Sequence, residues 1–137
     1  MPSALPTKIR LEIVSPDRLL LSEEVDEVTI PGSEGYLGIL PGHLPLLTMI
    51  GIGVLSYHHG GQKFSFAISR GFAEVLPDRV IIMADSIERP DEIDLQRARE
   101  AKERAEKRLH SKDQIDVQET MDALMRATSR IQVAEAR

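Results

Sequence analysis

All nine glycines and all eight prolines of this 137-residue chain lie at or before Pro90, and residues 91 to 137 contain neither. Glycine tolerates positive φ, whereas proline fixes φ and lacks an N–H, so the two together punctuate a chain with turns. A long stretch without them, rich in Ala, Glu, Arg and Lys, is free to run as helix. The chain therefore divides into two units, expected at residues 1–87 and 88–137. Its length suits one small domain with an appendage.

Within the first unit, short β-branched and apolar runs recur between turn signals, at 8–14, 18–21, 25–30, 46–50, 54–58, 63–69, 72–76 and 79–84. Ile9, Leu11 and Ile13 alternate with Arg10 and Glu12, and Phe64, Phe66 and Ile68 alternate with Ser65 and Ala67, giving each run one inward face. The connections Ser15-Pro16-Asp17, Gly60-Gly61 and Pro77-Asp78 are too short for crossover helices, so the pairing is antiparallel. Eight such strands predict a β-sandwich. Gly32, Gly35, Gly38 and Gly42 read as turn geometry, because no helix follows to make them a phosphate cradle.

The second unit predicts an antiparallel two-helix hairpin, with a first helix over 93–109 capped by Asp91 or Ser86, a break at 110–116, and a second helix over 117–134. The fold class is thus α+β. Asp94, Ala98, Ala101, Ala105 and Leu109 share one stripe, and Ala123, Ala127 and Ala134 share another, which are expected to face each other. Val117, Met121, Leu124, Thr128 and Ile131 form a larger apolar stripe, free to lie on the sandwich or on another protein. An alanine seam buries little, at about 0.8 kcal/mol for each methylene-sized group. The hairpin is therefore expected to dock conditionally.

Composition excludes several functions. Seventeen Lys plus Arg against twenty-two Asp plus Glu give a formal charge of -5, which lacks the basic field that nucleic-acid binding needs. Without cysteine there is no disulfide frame, thiolate metal site or thiol nucleophile, a composition suited to a reducing, cytosolic setting. The apolar run around Leu44 to Leu55 is interrupted by Pro45, Gly51 and Gly53, so neither a membrane span nor a secretion signal is expected. No phosphate-loop, zinc-helix or nucleophile-turn motif is present, and the adjacent His58 and His59 point to opposite faces of a strand. No catalytic residue and no metal site are expected.

The basic residues of the hairpin are the candidate site. Arg97 and Arg104 share a helix face, as do Arg126 and Arg130, and both pairs flank the alanine seam. Around that seam they would suit phosphates, with Glu88 and Asp94 accepting hydrogen bonds from a base or ribose. The competing reading is a solvated face held by Glu100 with Arg104 and Glu103 with Lys107.

The stretch from Ile30 through Pro31-Gly32-Ser33-Glu34-Gly35-Tyr36-Leu37-Gly38-Ile39-Leu40-Pro41-Gly42-His43 to Thr48 resembles the signature of the epsilon subunits of bacterial F-type ATP synthases. Ile68 to Val75, Val80 to Ala84 and Arg130-Ile131-Gln132-Val133-Ala134 extend the resemblance over nearly the whole chain. It implies a non-catalytic rotor subunit whose sandwich touches the gamma subunit and the c-subunit ring. It also implies that the hairpin either folds down or extends toward the alpha and beta subunits of the catalytic head, blocking ATP hydrolysis. The family's nucleotide motif is matched by Ile93-Asp94-Leu95-Gln96-Arg97-Ala98, and the residues that complete the pocket by Glu88, Arg104, Arg126 and Arg130. ATP is thereby implied as a regulatory ligand, with no cofactor required. Ser33, Glu34, Tyr36 and His43 are implied at the ring or gamma interface, where Tyr36 stands in place of an acidic residue found in some relatives. The implied location is the cytoplasmic face of the bacterial inner membrane, without insertion into it.

Overall fold

A computed structural model describes residues 5–111 and 113–136. Seven strands, β1 (Ile9–Val14), β2 (Leu19–Val25), β3 (Glu27–Gly32), β4 (Gly35–Ile39), β5 (Leu46–His59), β6 (Gln62–Leu76) and β7 (Arg79–Glu88), form one sheet in the order β2-β1-β7-β6-β5-β3-β4. After a short 3-10 turn at Pro90–Glu92 come α1 (Leu95–Leu109) and α2 (Val117–Glu135).

The sheet folds over on itself. Pairing lapses at one level across three strands, between Ile50 and Ile52 of β5, Ser69 and Gly71 of β6, and Ala84 and Ser86 of β7. Across that line the buried parity inverts: β6 turns Phe66 and Ile68 inward on one side and Ala73 and Val75 on the other. Each long strand thus passes from one layer of the sandwich to the other, as sheets do at corners. Gly71 sits on the corner at φ 150°, where an added Cβ would strike the Met83 carbonyl and the Ala84 backbone. Between the layers lies an apolar core that includes Ile9, Leu11, Ile13, Leu55, Ile68 and Ile82, all almost wholly buried.

Three expectations are corrected here. The runs at 46–50 and 54–58 are one strand, as are 63–69 and 72–76, because the fold line interrupts pairing without ending either strand. The glycine segment expected to be only turns contains β4, which pairs with β3 from Val28↔Ile39 to Gly32↔Gly35. The other ladders are antiparallel, but β1 lies parallel to β7, from opposite ends of the sandwich unit.

The first helix begins later than expected. Asp94, rather than Asp91 or Ser86, is its N-cap, its carboxylate accepting from the Arg97 amide at 3.1 Å. Proline at the first position of the 3-10 turn and the extended backbone of Ile93 separate that turn from α1. Asp116 caps α2 in the same way, accepting from the Glu119 amide at 3.0 Å.

The helices are antiparallel, since Arg99 near the start of α1 meets Glu135 at the end of α2 at 3.0 Å. Ala98 and Ala105 are buried in the seam together with Ala127 and Ala134. The hairpin lies on the outer face of the sandwich, where Val133 and Ala134 of α2 pack with Val54, Ala67 and Ile93. It is not the large apolar stripe that docks. Val117 and Met121 remain exposed, and α2 instead presents Asp122, Arg126, Ser129, Arg130 and Val133 toward the strands.

Candidate functional site

The arginines lie on one flank of the seam. Residues that follow a seam alanine by one position include Arg99 and Glu135, whose ion pair closes the opposite flank. Residues that precede one include Arg97, Arg104, Arg126 and Val133, and in an antiparallel pair these share the other side. The same ion pair sets Arg104 level with Arg130 along the hairpin axis.

Arg130 reaches the sandwich. Its Nε donates to Glu88 Oε1 at 2.6 Å, a part-buried, charge-assisted contact between α2 and the end of β7. Arg126 lies in the same crevice with Ser69, Ser86, Ser129 and Glu88, and the free space there is about 10 Å³. That is room for one water at most. Nucleotide phosphates would have to part Glu88 from Arg130 to enter.

The remaining motif residues are divided between packing and solvent. Ile93 is buried against Val54 and Val133, and Ala98 is buried in the seam. The Asp94 carboxylate is engaged at the α1 N-terminus. Arg97 and Arg104 are exposed, and neither they nor Arg126 have a carboxylate within 4.0 Å among the described residues. Of the two intrahelical pairs expected for a solvated face, Glu103 with Lys107 forms at 3.4 Å. Glu100 instead accepts from Gln96 at 3.3 Å, leaving Arg104 uncompensated. Three arginines without counterions beside one that is paired make a flank suited to a polyanion.

The loop residues are less uniform than the sequence implied. Ser33 and Glu34 are exposed at the β3–β4 turn. Tyr36 is folded across β3 instead of projecting outward, and its hydroxyl accepts from the Val54 amide at 3.0 Å. The ladder between β3 and β5 shifts register between Thr29 and Gly32, so at this level the phenol supplies the acceptor that a strand would otherwise provide. Gly53 makes room for it, since an added Cβ would lie 2.5 Å from the Tyr36 oxygen. His43 Nδ1 donates to the Leu44 carbonyl at 2.6 Å.

A second surface escaped sequence reading. Val14, Met83, Phe72 and Met49 are cross-strand partners in one row over four strands, on the outer face of the layer remote from the hairpin. Met83, Phe72 and Met49 are 43%, 49% and 58% exposed. The row is invisible in the sequence because its members come from four separate strands. An exposed apolar row spanning four strands is a candidate protein-contact surface. Among the described residues no helix is long and apolar enough to cross a membrane, and no cluster of His, Cys, Asp or Glu could hold a metal ion.

Residues 8–90 match the family model of the ATP synthase delta/epsilon chain β-sandwich domain, and residues 91–135 that of its long α-helix domain. The ATP synthase epsilon chain of Herpetosiphon aurantiacus is 50% identical over 130 residues, which are 94% of this chain and 96% of that one. That of Syntrophobacter fumaroxidans is 48% identical over 129 residues, 93% and 96% of the two chains. Among solved structures, a chain of the Euglena gracilis mitochondrial ATP synthase OSCP/F1/c-ring assembly superposes with a TM-score of 0.83 at 29% identity, over 97% of this chain and 84% of that one.

Proposed function

The chain belongs to the ATP synthase delta/epsilon family, and on that premise we propose that it is the non-catalytic epsilon subunit of a bacterial central stalk, whose hairpin responds to ATP. Its place is peripheral, on the cytoplasmic face of the inner membrane. The apolar row Val14, Met83, Phe72 and Met49 is the contact for the gamma subunit, and the β3–β4 turn with Ser33 and Glu34 meets the c-subunit ring. Tyr36, bonded to Val54, stiffens that turn and adds an apolar ring edge to it.

The observation that carries the regulatory reading is the flank of Arg97, Arg104 and Arg126 beside the Glu88–Arg130 pair, on a hairpin held to the sandwich by few apolar side chains. ATP phosphates take over Arg130 from Glu88 and bridge both helices, which is possible only while the helices lie side by side against β7. Binding to one state shifts the population toward it. Ligand at a hundred times its dissociation constant supplies about 2.7 kcal/mol, whereas moving a 1:99 equilibrium to 99:1 takes about 5.5 kcal/mol. ATP therefore tunes a balanced hairpin. When ATP is scarce the freed helices extend along gamma toward the alpha and beta subunits and block hydrolysis.

A second reading is a constitutive coupler with no nucleotide response, favoured by the Glu88–Arg130 contact, which closes the crevice without any ligand. Calorimetric titration of ATP, with ADP as comparison, into the full chain and into the Arg126→Ala, Arg130→Ala double variant separates the two. Saturable binding lost in the variant supports the switch. No binding up to millimolar ATP leaves the coupler.

A further inference from the structure

The pairing of β6 with β7 ends at Ala67↔Glu88, while its pairing with β5 continues to His59↔Gln62. Residues 62–66 of β6 thus have a strand on one side only, and among the described residues none of them makes a further backbone hydrogen bond outside the ladder. Unpaired N–H and C=O groups along such an edge are a template for another strand. Here the edge is not covered by the chain that leaves β7. Arg89, Pro90 and Asp91 swing away and leave a groove of about 610 Å³ between themselves and β6, closed at one end by Val133 and Ala136 of the hairpin. That volume lies within the range of about 300–1,000 Å³ usual for occupied sites.

The floor of the groove is aromatic. Tyr57 stacks on Phe64 with centroids 5.1 Å apart and an interplanar angle of 19°, and on Phe66 at 6.1 Å and 21°. Phe64 faces the open end of the core and is 38% exposed, although its strand parity is that of a core residue. Lys63 stands at the rim with no carboxylate within 4.0 Å among the described residues, whereas Arg89, which also lines the groove, is held by the Leu20 carbonyl at 2.9 Å and lies 3.9 Å from the Glu92 carboxylate.

We infer that this groove receives an extended segment of a partner polypeptide, which adds a strand to the free edge of β6. Main-chain bonds to residues 62–66 supply affinity, alternate apolar side chains lie on Phe64 and Tyr57, and an acidic side chain pairs with Lys63. Five residues of edge span about 17 Å, enough to fix register. The hairpin forms one wall through Val133 and Ala136, so the segment also favours the docked hairpin, independently of any nucleotide.

The test uses the full chain, isotopically labelled, and an acetylated, amidated hexapeptide of alternating glutamate and valine. Saturable binding that perturbs the amides of residues 62–66, weakened at least tenfold when every peptide amide is N-methylated, is the expected result. Phe64→Ala and the exposed Lys63→Glu should each weaken it fivefold or more, the second without disturbing the core. Equal binding of the N-methylated peptide would overturn strand addition and leave a pocket for a small apolar ligand. Perturbations centred elsewhere, or no binding to millimolar peptide, would overturn the proposal outright.

Discussion

Glu88 at the end of β7 holds Arg130 of α2 at 2.6 Å, so the docked hairpin carries its own counterion. Removing the carboxylate leaves Arg126 and Arg130 side by side with no other carboxylate within 4.0 Å among the described residues. Both paired side chains are about one-third exposed, which limits the loss to about 1 kcal/mol. Glu88→Gln should therefore raise hydrogen exchange in α2 by several-fold while leaving that of β6 unchanged. If the crevice takes phosphates, millimolar ATP should restore protection. Equal exchange in both forms would mean that the Val133 contacts and the Arg70–Asp122 pair hold the hairpin without Glu88.

The Tyr36 hydroxyl accepts from the Val54 amide at 3.0 Å where the β3–β5 register shifts. Tyr36→Phe keeps the ring and removes that acceptor, which should cost about 1–2 kcal/mol, since an unpaired part-buried donor loses its hydration as well as its bond. Denaturant unfolding of the full chain measures it. Gly53→Ala should destabilise more, because its Cβ would also lie 2.8 Å from Pro31 Cβ. Combined with Tyr36→Ala it should cost less than the sum, because one of the two collisions is then absent.

The change from strands to helices near Pro90 was legible because glycine and proline act locally, and the alanine seam because helical period survives in any context. The sandwich was legible as alternating runs. What could not be read was where pairing lapses: Gly51, Arg70 and Asp85 meet at one level only after three strands align, so one bent strand looked like two. The face that α2 presents to the strands was missed for a related reason. Pattern favours the larger apolar stripe, yet docking is decided by Val133 against Val54 and by the polar pairs Arg130–Glu88 and Arg70–Asp122. A motif likewise names residues without saying what else engages them, as Asp94 at its cap and Tyr36 on Val54 illustrate.

Phe72 at the centre of the apolar row is half exposed, and its neighbours Met49 and Met83 are on separate strands. Phe72→Glu should change stability by less than about 1 kcal/mol, as exposed substitutions do. Capture by purified gamma subunit should nevertheless fall at least tenfold, because a carboxylate would be buried against an apolar surface. Retained capture would move the gamma contact to another face.

Asp26 accepts from the Lys8 ammonium and, at 3.1 Å, from the Gly60 amide, tying the start of β1 and the β5–β6 turn to the β2–β3 corner. The Lys8 hydrogen bond, aided by that amide and opposed by some desolvation, holds the Asp26 carboxyl below its ordinary value of 3.8. A carboxyl with a lowered folded-state pKa stabilises the fold above the unfolded value, and that contribution disappears as pH falls through the folded one. Asp26→Asn should therefore be less stable than the parent at pH 7, and the difference should shrink below pH 3.8, with the two unfolding curves converging at lower pH. A constant gap between the curves across the acid range would mean that Asp26 acts through packing, not charge.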